Sequence, residues 1–238
     1  MIPKKVHISW NDKNLLSVDH DLVRLGIANL HKLNPDWEIE INDDVDIDNY
    51  LQKFLPESDY NIIKDKHIVQ KSDLWRLIKM LFEGGLYLDV DRLCDVSLDE
   101  MTLDGVSWVL PICENHDFSH DFMMSEPGNP VFYHATSLYL HRLNEDHDAP
   151  VYYLGPQTYM SAVGHVLIGN SNVSASSHNS IKKILWEAAR KHPNIATYLE
   201  IPPYNTITYR GGITNKEHEK MKRDFYAQCG LKHWTGEW

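Results

Sequence analysis

Cysteine is scarce. Cys94, Cys113 and Cys229 stand far apart in 238 residues, which excludes a disulfide framework and a Cys-type zinc site and fits a reducing compartment. Long apolar runs are missing too. No stretch approaches the length that spans a bilayer, and Met1-Ile2-Pro3-Lys4-Lys5 lacks the apolar core of a signal peptide. The expectation is a soluble, cytoplasmic protein without a transmembrane segment, with peripheral membrane contact through a partner or a lipid-linked substrate left open. Positive charge is in deficit: 23 Lys and Arg face 34 Asp and Glu, for a net charge of −11. A nucleic-acid backbone needs a basic surface, so that class of partner is excluded, whereas recruitment of cations is favoured. Internal repeats and low-complexity tracts are absent.

What remains is ordinary core-forming sequence. A hydrophobic fraction of 42 % supports one α/β domain over 1–238, as a single core or as a core with a small helical annex. The chain is organised around Gly84-Gly85-Leu86-Tyr87-Leu88-Asp89-Val90-Asp91. Two glycines break a helical pattern and a strand pattern follows. Alternation puts Leu86, Leu88 and Val90 on one face and Tyr87, Asp89 and Asp91 on the other. Two carboxylates aimed the same way repel each other. A hard divalent cation, magnesium or manganese, removes that conflict and binds in company with phosphates. The plain alternative is a strand end whose acids sit in water.

The flanking pattern sharpens this. Lys66 to Glu83 is the strongest helical stretch, with Leu74, Ile78 and Leu81 in one stripe and Asp73 and Arg76 three apart on another face. That pair is either a surface salt bridge or a device delivered to the Asp-x-Asp edge, where an Arg fork suits hydroxyls and phosphates. Pro3 to Trp10 reads as a first strand ending in Ser9-Trp10, at the edge where ligands of open α/β sheets sit. Trp10 is there either to stack on a flat ring or as a core residue. Val18 to Leu33 reads as one helix stopped by Asn34-Pro35, Asp36 to Ile41 as a second strand, and the acidic run 42–48 as a solvated turn. Val106 to Leu110 reads as a strand ended by Pro111, and Phe122 to Ser125 as another. Helices are expected over 131–142, 159–166 and 181–191. Residues 169–180 read as a polar loop, and 215–224 as a charged stretch.

Several separated motifs then agree with one family. The chain resembles glycosyltransferase family 32, the DXD-motif sugar transferases of GT-A fold. The matching pieces are Ile2 to Trp10, Asn34-Pro35-Asp36-Trp37, Ser72-Asp73-Leu74-Trp75-Arg76, Gly84 to Asp91, Glu126-Pro127-Gly128-Asn129-Pro130, Gly155-Pro156 and His233-Trp234. Glu237 before Trp238 departs from the usual close. The resemblance implies a Rossmann-like mixed sheet flanked by helices, with a smaller helical and loop annex. It implies a hexosyltransferase of polysaccharide biosynthesis that uses a nucleotide sugar, UDP-sugar favoured over GDP-sugar, with retention of anomeric configuration. The acceptor would be a glycan or a lipid-linked saccharide. By match of position, Asp91 would ligate the metal, Asp89 would hold the ribose and metal-bound waters, and His233 would complete the metal shell. Asp73 and Arg76 would bind donor sugar hydroxyls. Ile8, Ser9 and Trp10 would flank the base, and Gly85, Tyr87 and Trp238 would complete the donor site. No base is needed if the leaving phosphate takes the acceptor proton; Glu114, Asp117 and Asp121 are the nearby acids. The competing readings are a metal-dependent phosphohydrolase, which wants further acids around the pair, and a sugar-nucleotide-binding protein without catalysis.

Overall fold

The computed structural model describes residues 1–113, 117–174, 177, 179–201 and 205–232. Glu114, His233, Trp234 and Trp238 lie outside the described residues. Six strands form one sheet: β1 Lys5–Ser9, β2 Glu38–Asn42, β3 Gly85–Leu88, β4 Trp108–Cys113, β5 Phe122–Ser125 and β6 Ile195–Glu200. Their order is β2-β1-β3-β5-β4-β6. β1 is parallel to β2 and β3, β4 is parallel to β6, and β5 runs against both its neighbours. This is the mixed, helix-flanked α/β sheet expected of the chain.

The helices are α1 Asp21–Leu25, α2 Ile27–Leu33, α3 Asp44–Phe54, α4 Glu57–Ile63, α5 Ile68–Phe82, α6 Pro130–Glu145, α7 Val151–Leu154, α8 Pro156–Ile168, α9 Asn179–Lys191 and α10 Asn215–Gln228. Strand alternation divides the core in two. Val6, Ile8, Leu86 and Leu88 pack with α1, α2 and Phe225 of α10 on one face. Tyr87, Trp108, Leu110 and Met123 pack with α3, α5, α6 and α8 on the other. Burial on both faces is what makes these strands read as nearly continuous apolar runs.

Helix α5 is buried over its whole middle, including Ser72, Asp73, Arg76 and Lys79. A core helix that carries five buried polar side chains, these four and Gln70, needs partners for each of them. It stops at Gly84 (φ +63°), and Gly85 (φ +89°) opens β3. Both lie where only glycine is unstrained. A Cβ at Gly85 would stand 2.6 Å from the carbonyl oxygen of Lys5, so β1 and β3 meet closely there.

Some elements differ from expectation, each for a local reason. The acidic run is not a solvated turn: Asp43 and Asp46 form a reciprocal capping box that starts α3. The single helix expected over 18–33 is broken at Gly26, whose missing Cβ leaves room for the Arg92 carbonyl. Pro111 does not end β4. Its side of the strand is unpaired with β5, which registers only with Trp108 and Val109, so no ladder hydrogen bond is lost. The charged stretch after 214 is a helix, opened by a Thr214/Glu217 capping box. Strand β6 and helix α4 went unread.

Gly85→Ala is therefore expected to cost about 1–3 kcal/mol through the left-handed backbone alone. The check is a lower urea midpoint at an unchanged denaturant slope.

Candidate active site

The carboxyl ends of β1 and β3 are neighbours, and carrying their register on from His7 opposite Tyr87 sets Ser9 level with Asp89. A cavity of about 340 Å³ opens there, walled by Ser9, Trp10, Ser72, Asp73, Arg76, Tyr87, Asp89, Asp91, His120, Pro156 and Tyr226. Its size and its place beyond the strand ends are those of a small-molecule site.

Strand alternation does not carry Asp89 and Asp91 to one side as expected, because β3 ends at Leu88. A turn follows, closed by the Arg92 amide donating to the Asp89 carbonyl at 3.1 Å. The turn, rather than the pleat, brings both carboxylates to the cavity. The amide of Asp89 donates to the carbonyl of Asp121 at 2.9 Å, which ties the turn to the segment before β5.

Arg76 is the hub. Its Nη2 lies 3.0 Å from Asp73 Oδ1 and its Nη1 lies 3.1 Å from Asp89 Oδ1. Nη1 also donates to the carbonyl of His120 at 3.3 Å, and the guanidinium sits 4.3 Å over the Tyr87 ring. Tyr87 in turn donates its hydroxyl to Asp89 Oδ1. The Asp73–Arg76 pair is thus buried, not a surface salt bridge. Two of its atoms are buried without a hydrogen-bond partner among the described residues, Asp73 Oδ2 and Arg76 Nε. Leaving such groups unpaired costs about 1–3 kcal/mol each, and a ligand hydroxyl removes that cost.

The two carboxylates of the turn are held differently. Burial pushes the Asp89 carboxyl above its ordinary range, with Arg76 opposing and Asp91 adding repulsion. Burial acts the same way on Asp91, but Lys222 of α10 lies 3.0 Å from Asp91 Oδ2 and, with His218 and Arg92, holds it below the ordinary range. Asp91 is therefore the firmly ionised member. Asp89 Oδ2 and Asp91 Oδ1 carry no hydrogen bond among the described residues. Each carboxylate so offers one uncommitted hard oxygen, and a hard divalent cation fits that donor set.

Other expected residues fall elsewhere. Ile8 is fully buried in the core and does not reach the cavity, because its side chain alternates away from that face. Gly85 lies at the opposite end of β3 and serves the backbone, not a donor. Trp10 borders the cavity, but one face of its ring is stacked on Phe225 at 4.9 Å. The Ser72 hydroxyl donates to the Ser9 hydroxyl at 2.9 Å. Asp117 is paired with Lys182 at 2.7 Å, and Asp121 with Arg92 at 3.1 Å. Neither acid lines the cavity, and each is engaged by a basic residue.

Three parts of the arrangement were not foreseen. Arg92, almost fully buried, bridges Asp121 and, at 2.8 Å, Glu200 of β6, which fixes the far side of the turn. His218 of α10 donates from Nε2 to the Asp91 carbonyl at 2.8 Å. Gly155 lies against Asp73 and His120, where any Cβ would collide with the Asp73 carboxylate. Only the Thr214-x-x-Glu217 box and the spacing of His218, Lys222 and Phe225 on one helical face signalled α10 beforehand.

The model of a family described as "Glycosyltransferase sugar-binding region containing DXD motif" matches residues 20–108. The match covers a little over a third of the chain, which is similar to that family over this stretch. Within the matched stretch, Asp89-Val90-Asp91 is the Asp-x-Asp whose two acids both line the cavity. Among curated proteins, inositol phosphoceramide mannosyltransferase 1 of Schizosaccharomyces pombe is 26 % identical over 144 residues, covering 56 % of this chain and 41 % of its own. An uncharacterized glycosyltransferase of Acanthamoeba polyphaga mimivirus is 30 % identical over 137 residues, covering 56 % of this chain and 53 % of its own. The chain thus spans about half the length of the curated relatives it matches. A solved structure titled PaToxG Glycosyltransferase aligns with 98 % of this chain and 87 % of that one, at 20 % identity and a TM-score of 0.49.

The Arg92 bridge gives a test of the DXD turn's support. Arg92→Met strands the Glu200 carboxylate in the interior and takes the cation from the half-buried Asp121, and is expected to cost about 3–5 kcal/mol at neutral pH. Burial already raises the Glu200 carboxyl, with Arg92 partly offsetting it. Without Arg92 the folded-state value rises further. The deficit should therefore shrink as pH falls toward the ordinary glutamate value of about 4.3, where both states are protonated. Urea unfolding of the variant from pH 7 to pH 5, with Arg92→Met/Glu200→Gln recovering part of the loss, checks this.

Proposed function

We propose that this chain is a glycosyltransferase that moves a hexose from a nucleotide sugar to a saccharide acceptor, with the donor diphosphate held at the DXD turn through a divalent cation. The observation that carries this reading is the adjacency, around one cavity, of Asp89 and Asp91, each with an open carboxylate oxygen, and of Asp73 and Arg76, each with a buried polar atom that has no partner among the described residues. Asp89 and Asp91 form an oxygen-donor edge, and Asp73 Oδ2 with Arg76 Nε forms a hydroxyl-binding edge beside it.

Charge balance supports the same assignment. Asp73, Asp89 and Asp91 bring three negative charges, and Arg76 and Lys222 in contact with them bring two positive ones. One negative charge is left over, so a diphosphate entering alone would meet repulsion. A divalent cation held by Asp91 and Asp89 would offset both that excess and the charge developing on the departing diphosphate. Asp73 and Arg76 would orient the sugar by its hydroxyls, and Ser9 and Trp10 would border the nucleoside. The leaving phosphate would take the acceptor proton, which accords with retention and with the engagement of Asp117 and Asp121 by basic residues. A two-metal phosphohydrolase is disfavoured for the same reason: the acids nearest the DXD pair are committed to Arg76 and Arg92.

We take residues 1–238 as one transferase unit using magnesium or manganese, with a UDP-sugar as the first donor to try. The name of the fission-yeast relative supports adding GDP-mannose and a lipid-borne acceptor. Three unpaired cysteines support a cytoplasmic, reducing setting. No helix among the described residues is long and apolar enough to cross a membrane.

A thermal-shift screen of nucleotide sugars with and without manganese tests the reading, since a ligand that binds the folded state raises its melting temperature. One donor is expected to stabilise in the presence of manganese, and Asp91→Asn should abolish that stabilisation while leaving the unliganded melting temperature nearly unchanged. Asp73→Ala should remove the extra stabilisation given by the sugar, relative to the bare nucleoside diphosphate, and lower turnover about 100-fold or more. Equal loss for sugar donor and bare diphosphate would move Asp73 to a structural role.

A further inference from the structure

Lys222 has no part in the sugar-hydroxyl edge and was given no role by the sequence, yet it pairs with Asp91, an acid that lines the cavity. Its Nζ lies 3.0 Å from Asp91 Oδ2 and 3.6 Å from Glu219 Oε1, and 17 % of its side chain is exposed. The helix that carries it is pinned on either side. One turn earlier, His218 donates to the Asp91 carbonyl at 2.8 Å. One turn later, Phe225 is fully buried against Trp10. The backbone at 222 therefore has little freedom, while the ammonium rides on a four-carbon stem that swings readily.

We propose that Lys222 is the resident counter-ion of Asp91, which it releases to a divalent cation only when a nucleoside diphosphate arrives to receive the displaced ammonium. This rests on the reading of the DXD turn as the cation and diphosphate site. The physical argument has two parts. A partly buried carboxylate is costly to leave unpaired, and Lys222 removes that cost in the unliganded protein. A divalent cation entering alone must then displace an ammonium whose one other acidic contact among the described residues is Glu219. A diphosphate changes the balance, because it supplies oxygens to the cation and two negative charges to the freed ammonium. Cation and diphosphate should therefore bind together, each raising the other's affinity by the same factor. The hydrolysis-prone donor would be the trigger for completing its own site, and free cation would not preload it.

The test uses the full chain, with manganese binding read by electron paramagnetic resonance in the absence and presence of uridine diphosphate. In the native protein, uridine diphosphate is expected to tighten manganese binding at least tenfold. Lys222→Gln, whose amide still satisfies Asp91, should bind manganese alone about tenfold more tightly than the native protein does. Its coupling to uridine diphosphate should be correspondingly smaller. Lys222→Arg should restore native behaviour. Equal manganese affinity in the native protein with and without the nucleotide would overturn the proposal without any variant. Manganese binding that depends on Asp91 but is unmoved or weakened in Lys222→Gln would overturn the role of Lys222 alone, leaving a structural salt bridge. No manganese binding to the native protein with uridine diphosphate present would overturn the DXD reading along with it.

Discussion

One guanidinium holds this molecule's working end together. Arg76 is shared between Asp73 and Asp89, rests on the Tyr87 ring and takes the His120 carbonyl. A charge in that position has left water, and its partners must return what hydration gave. Three pieces of the chain are therefore committed to one geometry: α5, which supplies Arg76 and Asp73; β3 with its turn; and the segment leading into β5. The hydrophobic packing of α5 makes the arrangement affordable, with Leu74, Trp75, Leu77, Ile78 and Met80 all buried. Each such side chain contributes about 1.5–3 kcal/mol, enough to offset a helix face that carries charge inward.

The DXD turn is held from three directions by elements distant in sequence. Arg92 reaches Glu200, 108 residues on. His218 reaches the Asp91 carbonyl across 127 residues. The Asp89 amide reaches the Asp121 carbonyl. A two-carboxylate turn left to itself would open under its own repulsion. Here the cations and donors that oppose the repulsion are supplied by β6, α10 and the approach to β5, so the shape of the acid pair is a property of the whole fold.

This separates what could be read in the sequence from what could not. Asp73, Arg76, Asp89 and Asp91 were legible because their relation is local: two positions three apart on one helix, then a glycine break and a paired-acid edge within one short stretch. Ile8 and Gly85 were drawn into the site by proximity along the chain, although strand alternation buries the first and places the second at the far end of β3. Lys222, His218 and the Arg92–Glu200 bridge were not legible, because partner choice across more than a hundred residues leaves no periodic trace. The acidic run before α3 and the charged stretch of α10 were misread for a related reason. Charge suggested solvent, while the deciding signal was a capping box at each helix start.

A second cluster shows why residue type alone does not make a site. His7, Glu40, Glu83 and Lys79 gather near the opposite end of the same strands, and the first three could by donor chemistry hold a metal ion. They close on one another instead. His7 donates from Nε2 to the Gly84 carbonyl at 2.9 Å and meets Glu40 through Nδ1 at 3.2 Å. Lys79 pairs with Glu40 at 3.1 Å and with Glu83 at 2.7 Å. His7 and then Lys79 hold the Glu40 carboxyl down at about 2, against burial. Lys79 thus fills the position a cation would take, and its stem is buried among the group. At the cavity the comparable residues leave Asp73 Oδ2 and Arg76 Nε without hydrogen-bond partners among the described residues, and Lys222, paired with Asp91, keeps 17 % of its side chain exposed. The same residue types form a closed ionic staple where every buried valence is met, and a binding site where the fold leaves some of them open.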